Sequence, residues 1–327
     1  MPARVSVIIT TYNHEAFIAE AVQSVLSQSY ADYELIVVDD GSADGTLEQI
    51  SRFGETIHLV RQPNQGVAAS RNTGIQHARG ELLAFLDGDD LWEPGKLEWQ
   101  VAAATAHPAS GLIAVDGVHF SGPAVLHQSL LAPWVIGLLS DRSSVTLRCY
   151  EQLLRQNPIW TTSQIMVPRY VFDVVGLSDS TFPVSSDWDL YIRIAARYEM
   201  TFVGRRLTRW RYLHTSASGP QELRGLRWAA DDIAILRKHL RCALPTYHPL
   251  IRGAIRREIL TAASTAYYRG VESDRTMARR YLLALLRNNL PSLIPAPFLV
   301  GLYSPRLVTR IVGKTLRRLR RSSQPFS

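Results

Sequence analysis

The sequence predicts an α/β fold: a mostly parallel sheet flanked by helices, continued by a helical C-terminal extension. Three observations lead there. Over the first ninety residues, short β-branched runs alternate with helical patterning. The runs are apolar throughout rather than at every second residue, and polar clusters stand where they end. Strands apolar on both faces need cover on both, and crossover helices supply it.

Residues 5–10 form the first run, too short and too β-branched for a helix. Asn13 is placed to cap the next segment, where Phe17, Ile18, Ala21, Val22, Val25 and Leu26 recur at helical spacing. Residues 35–38 read as a second strand, 46–53 as a helix, 57–60 as a strand, 67–78 as a helix and 82–86 as a fourth strand. Between residues 111 and 213 the pattern is mixed, with strands at 112–115 and 163–167 and a helix at 188–198. This stretch reads as the continuation of the sheet and the acceptor side of a cleft. From Gln221 onward the patterning is helical, and prolines at 291, 295, 297 and 305 divide the late apolar stretch.

Composition narrows the function. The 327 residues are 46% hydrophobic and 20% charged, an ordinary globular balance. Cys149 and Cys242 are far apart and follow no metal or redox spacing, which fits a reducing cytoplasmic compartment. Residues 1–4 lead directly into a strand-length run, so no signal peptide is expected, and no apolar run spans a bilayer. The net charge of +7 invites a nucleic-acid reading. Eleven Lys or Arg and no acid lie from Arg275 onward, leaving 25 bases against 29 acids before it. A nucleic-acid binder carries its basic surface on the folded body. The asymmetry instead suggests a body with a basic attachment segment.

Ligands of open α/β sheets bind at the carboxyl ends of the strands. Thr10-Thr11-Tyr12-Asn13, Asp39-Asp40 and Asp87-Gly88-Asp89-Asp90 all fall there. The last cluster carries the most chemistry. A departing nucleotide diphosphate gathers negative charge, and a hard divalent cation held by oxygen ligands offsets it. Two carboxylates two residues apart can divide between metal and ribose, with Gly88 admitting the ligand to the backbone. A solvated acidic turn is the plain alternative.

Four blocks occur in order: Val5 through Asn13, Val38 through Thr46, Asn64 through Gly74, and Gly80 through Asp90. Together they resemble family 2 of the inverting glycosyltransferases, closely over the first hundred residues and more loosely to about residue 218. The resemblance implies a GT-A (Rossmann-like) catalytic domain over residues 1–220 and a helical extension over 221–327. It implies hexosyl- or hexosaminyl-type transfer from a nucleotide-sugar donor, UDP-linked by the match of Tyr12 and Asp40, to a glycan or lipid-linked acceptor in cell-surface polysaccharide synthesis. It implies a divalent cofactor, Mn2+ or Mg2+. Thr10 and Tyr12 resemble the residues lining the nucleobase, Asp40 the acid that accepts from it, Asp87 the ribose-side acid and Asp89 the metal ligand. Arg71 resembles a diphosphate contact or a helix residue that ties down a loop. Asp90 resembles a supporting or acceptor-side acid. Asp187, ahead of a Trp-Asp-Leu helix start, resembles the base that takes the acceptor proton, although Ser186 stands where the family often has an acid. Asp187 or Asp189 could instead cap that helix. Trp188 could stack on a sugar or belong to the core. His214 resembles the late histidine that approaches diphosphate or metal, and the other histidines read as surface or packing residues.

Two rivals stay in view. A sugar nucleotidyltransferase would carry a Gly-rich basic loop where Thr11-Tyr12-Asn13-His14 stands, and a non-catalytic carbohydrate-binding protein would not need Asp87, Asp89 and Asp187 together. Within residues 305–321, Leu307, Val308, Ile311, Val312, Leu316 and Leu319 share one helical side and Arg306, Arg310, Lys314, Arg317, Arg320 and Arg321 the other. That pattern suits an anionic membrane surface, hence a peripheral position at the inner face of the cell membrane. A terminal helix packed on the body is the alternative.

Overall fold

A computed structural model of the protein describes residues 3–213 and 221–269. Residues 3–213 fall in one compact unit and 221–269 in another. In the first unit the early apolar runs become β1 (Val5–Thr11), β2 (Tyr33–Asp39), β3 (His58–Arg61) and β4 (Leu82–Asp87). All are parallel, in the order β3-β2-β1-β4. Every residue of β1 is buried, because both faces of the strand are covered. Val5, Val7 and Ile9 pack with Ile18, Ala21, Val22 and Val25 of α1 (Ile18–Leu26). The short α2 (Thr46–Ser51) follows β2. Ile8 points the other way, toward α3 (Val67–His77), where a Cβ on Gly74 would come 2.3 Å from its Cγ2. Glycine lets that helix lie directly on the sheet.

The rest of the sheet is mixed. Its strands are β5 (Leu91–Trp92), β6 (Ser110–Ser121), β7 (Ala124–His127), β8 (Ser144–Leu147), β9 (Ile165–Pro168) and β10 (Glu199–Arg211). β9 runs antiparallel between β4 and β6, β10 lies parallel to β6, and β5, β7 and β8 add antiparallel margins. The parallel character expected from the sequence thus holds from β3 to β4 and again at β6 and β10, with β9 reversing between them. Helix α4 (Lys96–Ala106) covers β6 and β10. The remaining helices of this unit are α5 (Pro133–Leu139), α6 (Tyr150–Leu153), α7 (Arg169–Val175) and α8 (Ser186–Ala195). The strand expected at 163–167 starts two residues later, because Thr161 and Gln164 close a capping box around a 3-10 turn. β10 was not foreseen. Gly204-Arg205-Arg206 break its alternation, and its register with β6 shifts between Val203 and Arg206.

A short connection curls this sheet. β4 and β5 are joined by three residues, yet β5 lies four strands away along the ladder. A flat ladder would separate them by about 19 Å, beyond the roughly 14 Å that such a link spans. The far margin therefore bends back over the end of β4.

Asn13 does not cap α1. Its φ is +54°, its Oδ1 accepts from Ala43 N at 2.8 Å and its N–H donates to Ser42 Oγ at 2.9 Å. With Glu15 Oε2 accepting from Gly45 N, it fastens the loop after β1 to the loop after β2. The first turn of α1 is closed by Phe17 and Ile18, both donating to His14 O.

In the second unit, α9 (Gln221–Cys242) and α10 (His248–Arg269) pack on each other. They bury Ala229, Ile233 and Leu236 on one helix and Ile251, Ile255 and Ile259 on the other. His214 and the basic segment at 305–321 lie outside the described residues.

Candidate active site

Parallel register carries three polar clusters to one edge, with Thr11 beside Asp39 and Thr10 beside Asp87. The acidic turn is held by Gly88 N donating to Thr10 O and Asp90 N donating to Asp87 O, each at 2.9 Å. A Cβ on Gly88 would lie 2.8 Å from Thr11 Oγ1 and 3.0 Å from His14 Nδ1, so the turn closes only on glycine.

The three acids of this turn have separate fates. Asp87 remains a quarter exposed and accepts from Arg71 Nη2 at 2.7 Å. Asp89 faces His14, with Nε2 4.0 Å from Oδ2. Burial holds its carboxyl above the ordinary value; His14 opposes the rise and Asp87 adds to it. Asp90 is turned inward. It accepts from Ser163 Oγ at 2.6 Å, Thr161 Oγ1 at 3.1 Å and Arg211 N at 2.9 Å. Burial, with Asp89 and Asp87 nearby, holds its carboxyl well above the usual range. Asp90 supports the turn, and the acceptor-side reading of it is corrected.

Arg71 projects from α3 beneath these acids and is almost wholly buried. Burial works against its charge, but Asp87 and then Asp187 outweigh that and hold its guanidinium above the ordinary value. Asp187 enters from the second residue of α8, its Oδ1 accepting from Trp188 N at 2.8 Å. Burial raises its carboxyl and Arg71 opposes the rise. Asp189, two residues on and so on the other side of the helix, is fully buried. It accepts from Arg193 Nε at 2.8 Å, and Arg193 also donates to the carbonyls of Gly176 and Leu177. The structure therefore brings Asp87, Asp89, Arg71 and Asp187 together and leaves Asp189 to the packing of α7 and α8.

Other expectations change. Trp188 is 3% exposed, and its Nε1 donates to Leu153 O at 2.9 Å. It is a core residue with no face for a sugar. Asp40 accepts from Gln62 Nε2, Gln65 N and Gly66 N at 2.7, 3.0 and 2.8 Å. These three donors hold the carboxylate in place, and it shapes the loop leading to α3. Thr10 turns its hydroxyl toward Asp87 at 3.4 Å, while Tyr12 leaves its ring 44% exposed at the edge. His14, read from the sequence as an ordinary histidine, stands beside Asp89.

Among the described residues no three His, Cys, Asp or Glu side chains converge as a closed metal cage. A cation bound together with a diphosphate needs only one or two carboxylates, the phosphates and water supplying the rest. Asp89, with Asp87 two residues before it, offers that hard-oxygen set at the end of β4. The residues present fit Mg2+ or Mn2+.

Sequence reasoning missed a group of rings at the other side of the turn. His119 of β6 stacks on Trp210 of β10, centroids 4.2 Å apart, and His127 and Trp160 join them. No periodicity marks residues so far apart; only the pairing of His119 with Trp210 across β6 and β10 unites them.

Residues 6–167 match the family model described as Glycosyl transferase family 2. Among curated proteins, the chain is 41% identical over 100 residues to the Escherichia coli UDP-Glc:alpha-D-GlcNAc-diphosphoundecaprenol beta-1,3-glucosyltransferase WfgD, covering 30% of this chain and 40% of that one. Alignments with four such relatives span 31% to 62% of the relatives' own lengths. Among solved structures, S. aureus TarS 1-349 in complex with UDP-GlcNAc superposes with a TM-score of 0.67 at 16% identity, covering 96% of this chain and 92% of that one. The mannosyltransferase PcManGT from Pyrobaculum calidifontis, in complex with GDP-Man and Mn2+, gives 0.56 at 20% identity over 89% and 88%. At these identities the likeness is one of fold.

Proposed function

Because the chain belongs to glycosyl transferase family 2 through residues 6–167, we propose that it is an inverting transferase. In this reading it moves a hexosyl or hexosaminyl unit from a UDP-type donor to a hydroxyl of a glycan or lipid-linked acceptor. The observation that carries the reading is the pair Asp87 and Asp89 at the end of β4, joined through Arg71 to Asp187 on α8.

Tyr12 offers the open ring on which a flat base can stack. Asp89, assisted by Asp87, is the carboxylate that would hold a divalent cation. When bound, such a cation supplies charge against the diphosphate. Asp187 takes the proton of the acceptor hydroxyl on its carboxylate as the oxygen attacks the anomeric carbon, and the bond from that carbon to the diphosphate oxygen breaks to release the nucleoside diphosphate. Arg71 keeps Asp87 and Asp187 in fixed relation beneath the donor. The acceptor class is suggested by WfgD, whose name gives a sugar-diphospholipid acceptor.

A panel of nucleotide sugars assayed for nucleotide diphosphate release, with Mg2+ or Mn2+ and then with chelator, tests this. Release should need the cation and be lost in Asp89→Ala; release by no donor, or release insensitive to both, would sink the proposal. Among the described residues no helix is long and apolar enough to cross a membrane. Attachment is assigned to the basic segment at 305–321. A chain ending at residue 304 should fail to float with anionic vesicles, and unchanged flotation would refute the attachment.

A further inference from the structure

The acceptor half of the sheet carries five aromatic or imidazole rings that the transfer chemistry does not use. Trp160 precedes the 3-10 turn before β9 and is 41% exposed. It meets Trp210 at a centroid distance of 6.1 Å and an interplanar angle of 89°, so the two indoles form a corner. Behind Trp210 lies His119, stacked at 4.2 Å; exposed His127 stacks on His119 at 5.5 Å and stands edge-on to Trp160 at 5.3 Å. Tyr212 closes the rear, edge-on to His119 at 5.7 Å.

This corner is rigid and adjoins the acidic turn. Trp160 N donates to Gln164 Oε1 at 2.9 Å, and Gln164 Nε2 donates to Val115 O at 2.9 Å. The next residue, Thr161, reaches Asp90 Oδ2 at 3.1 Å and Asp87 Oδ2 at 3.5 Å. At the other wall, Arg211 follows Trp210 and donates to Asp89 O at 2.8 Å. One residue thus separates each indole from the turn that holds the carboxylates. A packing cluster would bury its rings, whereas Trp160 and His127 stay open to solvent.

We propose that Trp160 and Trp210, with His127 at the rim, bind the pyranose ring of the acceptor. A pyranose has a face of C–H groups bordered by hydroxyls. An indole plane matches the face, and the exposed His127 imidazole beside it offers a hydrogen-bonding group for the hydroxyls. An alkyl chain would match the indoles but make no use of the exposed His127 ring nitrogens. The proposal rests on the glycosyltransferase reading above and adds a cyclic sugar as the acceptor's reacting end.

Saturation-transfer NMR on the full chain tests it, using methyl glycosides of glucose, galactose, mannose and N-acetylglucosamine, with octyl glucoside and ribitol alongside. UDP binding is measured in the same samples. At least one methyl pyranoside should receive saturation at its ring C–H groups. Trp160→Ala should weaken that binding about tenfold or more, Trp160→Phe should keep it within about threefold, and UDP affinity should not move. No pyranoside contact in the wild-type chain, unchanged binding in Trp160→Ala, or saturation confined to the octyl chain or to ribitol would each overturn it. Pyranoside binding without UDP binding would remove the donor assignment and leave the aromatic site in place.

Discussion

The sheet from β3 to β4 and the sheet from β9 to β5 present different chemistry at neighbouring edges. On the first side the edge is made of carboxylates, and the loops that carry them are fastened by their own side chains. Asp40 gathers residues 62–66, and Asn13 and Glu15 pin residues 43–45. On the second side the edge is made of rings from β6, β7, β10 and the turn before β9, held by strand pairing. Under the proposed function, the contrast teaches that a charged donor and a neutral acceptor ring place different demands on one fold. Charge requires close backbone and many satisfied acceptors, whereas a neutral ring requires flat walls at a fixed angle.

The largest effect that would sharpen this division is expected at Asp187, which lies between the two sides. Asp187→Asn should lower transfer about 10²-fold or more, the usual contribution of a positioned base, with donor affinity within about twofold. Burial raises this carboxyl above its ordinary 3.8. The base works ionised, so transfer should be lost as pH falls through a value above 3.8, and the acid limb of the pH–rate profile reads it. An acid limb at 3.8 or below, or full activity in the amide variant, would remove Asp187 from the role.

A smaller effect probes the packing of the two sides. Gly74→Ala drives a Cβ to 2.3 Å from Ile8 Cγ2 and should cost about 1–3 kcal/mol in urea unfolding. Gly204→Ala on β10 meets Leu139 no closer than 3.6 Å and should stay within about 0.5 kcal/mol. Equal costs would show that the close approach of α3 to β1 at Gly74 carries no energetic weight.

The same division decides what could be read from the chain. β1 to β4 and the acidic turn were legible because each depends on local order: an apolar run, then polar residues at its end. Asp187 and Asp189 could be listed as alternatives, since both sit at a helix start; which one turns inward depends on Arg193 and the carbonyls beyond α7. Trp188 could be read as a sugar platform or a core residue, and the open indole of Trp160 fell outside the strand read at 163–167. Burial separates the two, and burial comes from the placement of α6 against α8, which no local pattern encodes. The donors that hold Asp40 were illegible for a related reason: they reach it from residues 22 to 26 positions away.

The three-residue link between β4 and β5 has a consequence for exchanging parts between such enzymes. Lengthening it would displace the carboxylates and release the curled margin together, so that stretch belongs with the catalytic frame. β7 pairs with β6 alone. A hairpin grafted there would leave the eight-strand ladder untouched while replacing His127. The protein is therefore divided into a frame that resists insertion and a margin where a different recognition loop can be set.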